Sequence, residues 1–316
     1  MDEFELVARY FDHPQAGPTQ VTLGIGDDGA VLAHTPGTES VVVTDTLVCG
    51  THFLKEHSAA SIGHRALAVN LSDIAAMGAT AEWATLNLTL PSFDESWVEQ
   101  FAVSLLDLAR RYGVTLVGGD TTRGPLSVTM TVGGRVSKGA ALRRNGAQPG
   151  DSIYVSGQLG GAAAALARNN MQLEDPLLDA FWYPQPRLAL GVALVGVAHS
   201  AIDISDGLLS DLGHVLHASG DLGADIDGGR IPLHPQAELD LGNGRALELA
   251  LGGGDDYELC FTVPDAGRGS ISVLEEELAL PLTCIGEVTR DGPCQVRRNG
   301  KVLTGLVAGY RHNWNG

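Results

Sequence analysis

The sequence predicts a protein of two domains, each mixing helices and strands, the first of α/β and the second of α+β type. Three observations carry this. The chain has 316 residues, enough for two cores, with the 44% hydrophobic and 18% charged composition of an ordinary globular protein. Strand-like and helix-like stretches interleave in both halves, without the regular alternation of a Rossmann sheet and without an internal repeat. Between Val136 and Gly150 the chain becomes basic and turn-rich, with Lys138, Arg143, Arg144, Gly146, Pro149 and Gly150, so the domains are expected to span 1–137 and 138–316.

In chain order, Phe4 to Phe11 has helical spacing and stops at His13-Pro14. Val21 to Ile25 and Ser40 to Val48 read as strands on either side of the loop Gly24-Ile25-Gly26-Asp27-Asp28-Gly29-Ala30. A helix follows, with Ser58 as N-cap and Gly78 as stop. Ile62, Ala66, Val69 and Asp73 share one stripe of it, which sets a carboxylate on an apolar face. Ala81 to Leu90 is a strand. Asp94 caps a helix carrying Trp97, Phe101, Leu105 and Leu108, closed by Arg110, Arg111 and Gly113. Val114 to Val117 is a short strand entering Gly118-Gly119-Asp120-Thr121-Thr122-Arg123-Gly124, and Leu126 to Val136 is another.

In the second half, Asp151 to Ser156 is a strand, and Gly160 to Arg168 and Arg187 to Ala198 are apolar helices. Ala201 to Ile204 is a strand entering Ser205-Asp206-Gly207, and Leu208 to Ala218 is a helix stopped by Gly220. A helix at Arg245 to Leu251, the loop Gly252-Gly253-Gly254-Asp255-Asp256, a strand at Tyr257 to Val263, a helix at Ile271 to Leu280 and strands at Cys284 to Val288 and Gln295 to Arg298 complete the chain.

The formal net charge of −18 excludes a duplex-binding surface, since phosphate backbones are held by clustered Lys and Arg. The acidic start Met1-Asp2-Glu3 leads into no apolar signal segment, and no apolar run has spanning length, so a cytoplasmic protein without membrane or nucleic-acid partners is expected. Cys49, Cys260, Cys284 and Cys294 have no C-x-x-C spacing and read as structural thiols.

Gly24, Gly26 and Gly29 spell G-x-G-x-x-G, yet Asp27 and Asp28 would set two negative charges against a pyrophosphate, and a turn follows where a helix is needed. Adjacent carboxylates on a bent loop suit a hard cation. More carboxylates stand where apolar strands end or glycines turn: Asp45, Asp120, Asp203, Asp206, Asp255 and Asp256, with Asp73 on its helix. Turn chemistry accounts for any single Asp-Gly loop. It does not account for Asp73, Asp45 or Asp203. Convergence of such acids requires raised pKa values or bound cations; with oxygen ligands only, Mg²⁺ is favoured over zinc, and several Mg²⁺ ions imply a phosphate-rich substrate. No Walker loop and no protein-kinase signature is present, so phosphoryl transfer would need another scaffold. An acidic module that binds divalent ions or Mg-nucleotide and regulates a partner, or a metal-dependent phosphatase, are the other readings.

The set Gly24-Ile25-Gly26-Asp27-Asp28, Thr44-Asp45-Thr46 with Gly50-Thr51-His52-Phe53, Ala68-Val69-Asn70-Leu71-Ser72-Asp73-Ile74-Ala75-Ala76-Met77-Gly78, Gly118-Gly119-Asp120-Thr121-Thr122, Ile202-Asp203-Ile204-Ser205-Asp206-Gly207-Leu208 and Asp256-Tyr257-Glu258-Leu259 resembles the thiamine-monophosphate kinase family, in order and over almost the whole chain. The aminoimidazole ribonucleotide synthetase and selenophosphate synthetase relatives are weaker matches. The resemblance implies an N-terminal α/β domain whose strands build a barrel-like dimer interface, an α+β C-terminal domain, ATP as co-substrate in a cleft near that interface, and direct in-line transfer to thiamine monophosphate. It implies Asp28, Thr44, Asp45, Asp73, Asp120, Asp203 and Asp206 as Mg²⁺ ligands. It further implies Gly119, Asp120, Arg144 and Ser205 as ATP contacts, and His52, Asp255 and Tyr310 as contacts to the thiamine phosphate. Two positions depart from the family: Asp255 stands where Glu is common, and Val43 where relatives can carry Ser.

Overall fold

The computed structural model describes residues 3–12, 20–26, 29–168, 176–306 and 309. The chain divides into two compact units, Met1–Ile74 with Ala79–Gly139, and Ala75–Gly78 with Ala140–Gly316.

The first unit contains α1 (Glu3–Tyr10), a small hairpin of β1 (Val21–Leu23) and β2 (Val31–Leu32), then β3 (Thr38–Val48), α2 (Ala59–Ala76), β4 (Thr80–Leu90), α3 (Glu95–Tyr112), β5 (Thr115–Arg123) and β6 (Ser127–Ser137). The hairpin places the described residues Gly24, Ile25, Gly26, Gly29 and Ala30 between two paired strands, so β2 and not a helix follows the glycines. The main sheet runs β3-β6-β4-β5, antiparallel except for the parallel β4–β5 pair. Its two faces differ because side chains alternate along each strand. Leu47, Val128, Met130, Val132, Leu86 and Leu88 are buried on one face. The other carries cross-strand rows of Thr44, Thr131 and Thr85, and of Thr46, Thr129, Asn87 and Asp120.

The caps read from sequence are present. Ser61 N donates to Ser58 Oγ at 3.1 Å, and Trp97 N to Asp94 Oδ1 at 3.2 Å. Gly78 and Gly113 take the left-handed conformation at the ends of α2 and α3, with φ of 66° and 69°. The strand expected to stop at Val117 continues through the glycine-threonine stretch to Arg123, because Gly118 to Arg123 keep their ladder with β4.

The second unit contains β7 (Ser152–Ser156), α4 (Gly161–Ala167), α5 (Pro176–Trp182), α6 (Leu188–Leu194), β8 (Ser200–Asp203), α7 (Leu208–Ala218), β9 (Gly223–Asp227), α8 (Pro235–Gly252), β10 (Leu259–Val263), a 3-10 turn at Asp265–Gly267, α9 (Arg268–Leu278), β11 (Leu282–Thr289), β12 (Cys294–Arg298) and β13 (Lys301–Val302). The sheet order is β13-β12-β9-β11-β7-β10-β8, antiparallel except where β12 meets β9 and not specified by chain order. One face buries Ile153, Val155, Ile202 and Cys260 with Leu208, Leu212 and Val215 of α7 and Leu247 and Leu251 of α8. A second core joins α4, α5 and α8 through Ala162, Ala165, Leu177, Phe181 and Ala246. Arg187 forms an ion pair with Glu258, whose Oε2 also accepts from Ser156 Oγ, tying α6 to β7 and β10. Among the described residues no helix is long and apolar enough to cross a membrane.

Candidate active site

In the first unit, Asp45 occupies the buried face of β3, in register with Met130, and Asp73 on α2 shares a hydrogen bond with it. Both are half-buried. Burial pushes the Asp45 carboxyl above the usual range, while the bond to Asp73 and the neighbouring His52 act in the opposite sense. His52 is set by the turn after β3: its Nδ1 accepts from Val48 N at 3.0 Å, which leaves Nε2 as the proton-bearing nitrogen of the neutral ring. Thr44 and Asp120 lie by strand alternation on the opposite, threonine-rich face. Thr44 donates its hydroxyl to Met130 O at 3.0 Å, and Asp120 is exposed beside Asn87. Gly119 has a φ of 145°, and a Cβ there would lie 1.8 Å from Leu86 O, so only glycine permits this close strand approach. Asp27 and Asp28 lie outside the described residues.

In the second unit, β8 ends in the buried Asp203 and passes into Ser205-Asp206-Gly207 before α7 begins. This loop interlocks with the one before β10. Asp255 N donates to Ser205 O, Tyr257 N to Ile204 O and Ile204 N to Glu258 O, at 2.9, 2.9 and 2.8 Å. A Cβ at Gly254 would lie 2.2 Å from Ser205 O, and one at Gly207 2.9 Å from the Gly252 carbonyl carbon, so the two loops meet backbone to backbone. Asp255 and Tyr257 both have positive φ, 69° and 51°. The side chain between them, Asp256, turns inward, where its two oxygens accept from Gly160 N at 2.9 and 3.0 Å; burial raises its pKa well above the usual carboxylate range.

Arg144 is exposed, its carbonyl accepting from Ser219 Oγ at 3.1 Å. Gly309 lies against Ser210 and the Asp206 carbonyl, and Tyr310, the next residue, lies outside the described residues.

The structure therefore brings together Asp45, Asp73 and His52 in one unit, and the loops carrying Ser205, Asp206 and Asp255 in the other. It also adds Asp211, which the sequence reading passed over. Its carboxyl is buried in the first turn of α7 and pushed up to about 7 by desolvation and by the neighbouring charges of Asp203 and Asp206. Asp206, Asp211 and His214 offer ligand atoms within 4.8 Å of one another. The signal for Asp211 was the one that exposed Asp73: a carboxylate on the apolar stripe of Leu208, Leu212 and Val215.

The donor chemistry fits a hard divalent cation. A hydrogen bond between the carboxyls of Asp45 and Asp73 requires that one of them keep a proton. A cation in place of that proton lets both ionise, and oxygen-only donors of this kind suit Mg²⁺.

Comparison with known proteins identifies the family. Residues 26–136 match the family described as AIR synthase related protein, N-terminal domain, and 148–299 its C-terminal domain. The thiamine-monophosphate kinase of Escherichia coli (strain K12) is 49% identical over 319 residues, covering 98% of each chain. The crystal structure of thiamine-monophosphate kinase from Stenotrophomonas maltophilia K279a superimposes with a TM-score of 0.84 at 44% identity, covering 90% of this chain and 93% of that one. The structure of AaThiL complexed with AMPPCP and TMP superimposes with a TM-score of 0.76 at 29% identity, covering 92% of both chains. With both domain families matched and about half its residues shared along its whole length, this chain belongs to the thiamine-monophosphate kinase family.

Proposed function

We propose that this protein transfers the terminal phosphoryl group of ATP to thiamine monophosphate, giving thiamine diphosphate and ADP, the final step of thiamine diphosphate formation. The observation that carries the proposal is the hydrogen-bonded Asp45–Asp73 pair, an oxygen-only cation site in a chain of this family. In the proposed assignment Asp28, Thr44, Asp45, Asp73, Asp120, Asp203 and Asp206 hold several Mg²⁺ ions. Thr44 keeps an acceptor lone pair while donating to Met130 O. Gly119, Asp120, Arg144 and Ser205 contact ATP, and His52, Asp255 and Tyr310 contact thiamine monophosphate.

The acceptor is itself an anionic phosphate oxygen, so no strong general base is required, and the residues act by positioning and charge. Bound Mg²⁺ supplies neutralisation of the phosphate oxygens as the two anions approach. The Arg144 guanidinium adds a planar fork to a phosphate. His52 donates Nε2–H to the substrate phosphate, a polarity supported by the bond that Val48 N makes to Nδ1.

A homodimer and a cytoplasmic setting belong to the same proposal. The exposed threonine rows of the first unit's sheet, with Val42 59% exposed and Val48 36% exposed on the same face of β3, suit a barrel-like pairing of two sheets. The four unpaired cysteines suit a reducing compartment.

The test is incubation of the pure protein with ATP, Mg²⁺ and thiamine monophosphate. ADP and thiamine diphosphate are expected in equal amounts. Release of inorganic phosphate without thiamine diphosphate would make the protein a phosphatase and overturn the proposal.

A further inference from the structure

The loop Ser205-Asp206-Gly207 presents three consecutive backbone N–H groups to one point, an arrangement that ordinarily cradles an anion. The point is already occupied. Asp211 Oδ2 accepts from Ser205 N, Asp206 N and Gly207 N, each at 3.1 Å, and Asp211 N in turn donates to Gly207 O at 3.0 Å. The carboxylate is 3% exposed and sits in the first turn of α7, where the N-terminal helix dipole favours its charge.

We infer that Asp211 is a positioning residue for nucleotide binding: by filling the amide nest it fixes the loop's backbone and leaves the Ser205 hydroxyl and the Asp206 carboxylate as the loop's contacts to Mg-ATP. The inference rests on the proposed roles of Ser205 and Asp206. It goes beyond them in assigning the geometry of the loop to a side chain that touches neither nucleotide nor substrate. With its oxygen engaged by three donors, Asp211 acts through the backbone, and the loop's amides are withheld from phosphate. This explains how a glycine-turned loop in this chain meets a polyanion by side chains.

The expected behaviour follows from the bonds removed. Asp211→Ala frees three N–H groups, and the KM for ATP should rise by roughly tenfold or more, since bonds to a charged acceptor are the strong ones. Asp211→Asn keeps an acceptor oxygen and should recover most of that loss. Asp211→Glu keeps the charge but displaces it by one methylene, and should still raise the KM for ATP. The deciding measurement is a double-mutant cycle on the KM for ATP with Ser205→Ala, with folding checked by thermal melting. If Asp211 works through Ser205, the double variant loses little more than Asp211→Ala alone. A lowered melting temperature with an unchanged KM for ATP in the folded Ala and Glu variants would make Asp211 merely structural and overturn the inference, as would strict additivity with Ser205→Ala. Should the Ala variant fail to fold, the Glu variant carries the same cycle. If Ser205→Ala itself leaves the KM for ATP unchanged, the assignment of Ser205 has failed, and the inference falls with it.

Discussion

Tyr257 donates its phenolic hydroxyl to Asp255 Oδ1 at 3.1 Å, across a single intervening residue and between two backbones of positive φ. Left-handed backbone is tolerated by Asp but uncommon for a bulky aromatic, so the surrounding loop must impose it on Tyr257. The bond aims the Asp255 carboxylate. Removing the hydroxyl in Tyr257→Phe should raise the KM for thiamine monophosphate several-fold and cost about 1 kcal/mol of stability. Steady-state kinetics with each substrate varied in turn checks this; a rise confined to the KM for ATP would contradict the assignment of Asp255.

Asp45→Asn removes a charge but keeps a group able to hydrogen-bond Asp73. The fold should survive, and without Mg²⁺ the variant should melt no lower than the parent protein. Its kcat should fall by at least about a hundredfold, the scale of lost transition-state charge stabilisation. Turnover retained at saturating Mg²⁺ would rule out Asp45 as a ligand.

Asp256 gives a pH test free of nucleotide. Burial holds its folded pKa well above the unfolded value. The folded state therefore binds more protons, and the group's contribution to stability, fully present below the unfolded pKa, is lost as pH rises towards the folded one. Asp256→Asn cannot titrate and can still accept from Gly160 N. Relative to the parent, the variant should gain stability by up to about 1.4 kcal/mol per pH unit above roughly pH 4. Urea unfolding at pH 4.5, 6 and 7.5 measures this, and a constant difference across the series would refute it.

Gly119→Ala places a methyl 1.8 Å from the Leu86 carbonyl oxygen and forces a φ of 145° on an L-residue. Ladder bonds between β4 and β5 must give way, at a cost of about 2–4 kcal/mol. Thermal melting should register the loss; Gly118→Ala, with nothing within 4 Å of its Cβ, is the control and should be milder.

Local chemistry was the legible part of the sequence. Ser58, Asp94, Gly78 and Gly113 act as read because caps depend on residues only a few positions apart. Asp73 was visible as a carboxylate on an apolar stripe, and it hydrogen-bonds Asp45. β9 was not legible: its five residues Gly223–Asp227 include two Asp and a Gly, and it is a strand because β11 and β12, far along the chain, pair with it. α5 and the first half of α8 were hidden for related reasons. α5 is only seven residues long, and α8 crosses a non-helical Gly242 in the stretch Gly242-Asn243-Gly244, which reads locally as a loop. Asp256 looked like a twin of Asp255, yet positive φ on either side of it turns the two carboxylates in different directions.

The backbone interlock of the two glycine loops in the second unit also bears on how acceptor preference could be changed. Ser205 and Asp255 are joined by a main-chain bond, and Gly207 and Gly254 leave no slack between their loops. A library that randomises 252–257 alone, in search of a new acceptor, would shift Ser205 with every backbone change it selects. On the proposed assignment of Ser205 to ATP and Asp255 to thiamine monophosphate, a change in one loop alters both contacts, and productive variants should arise from paired changes in both loops.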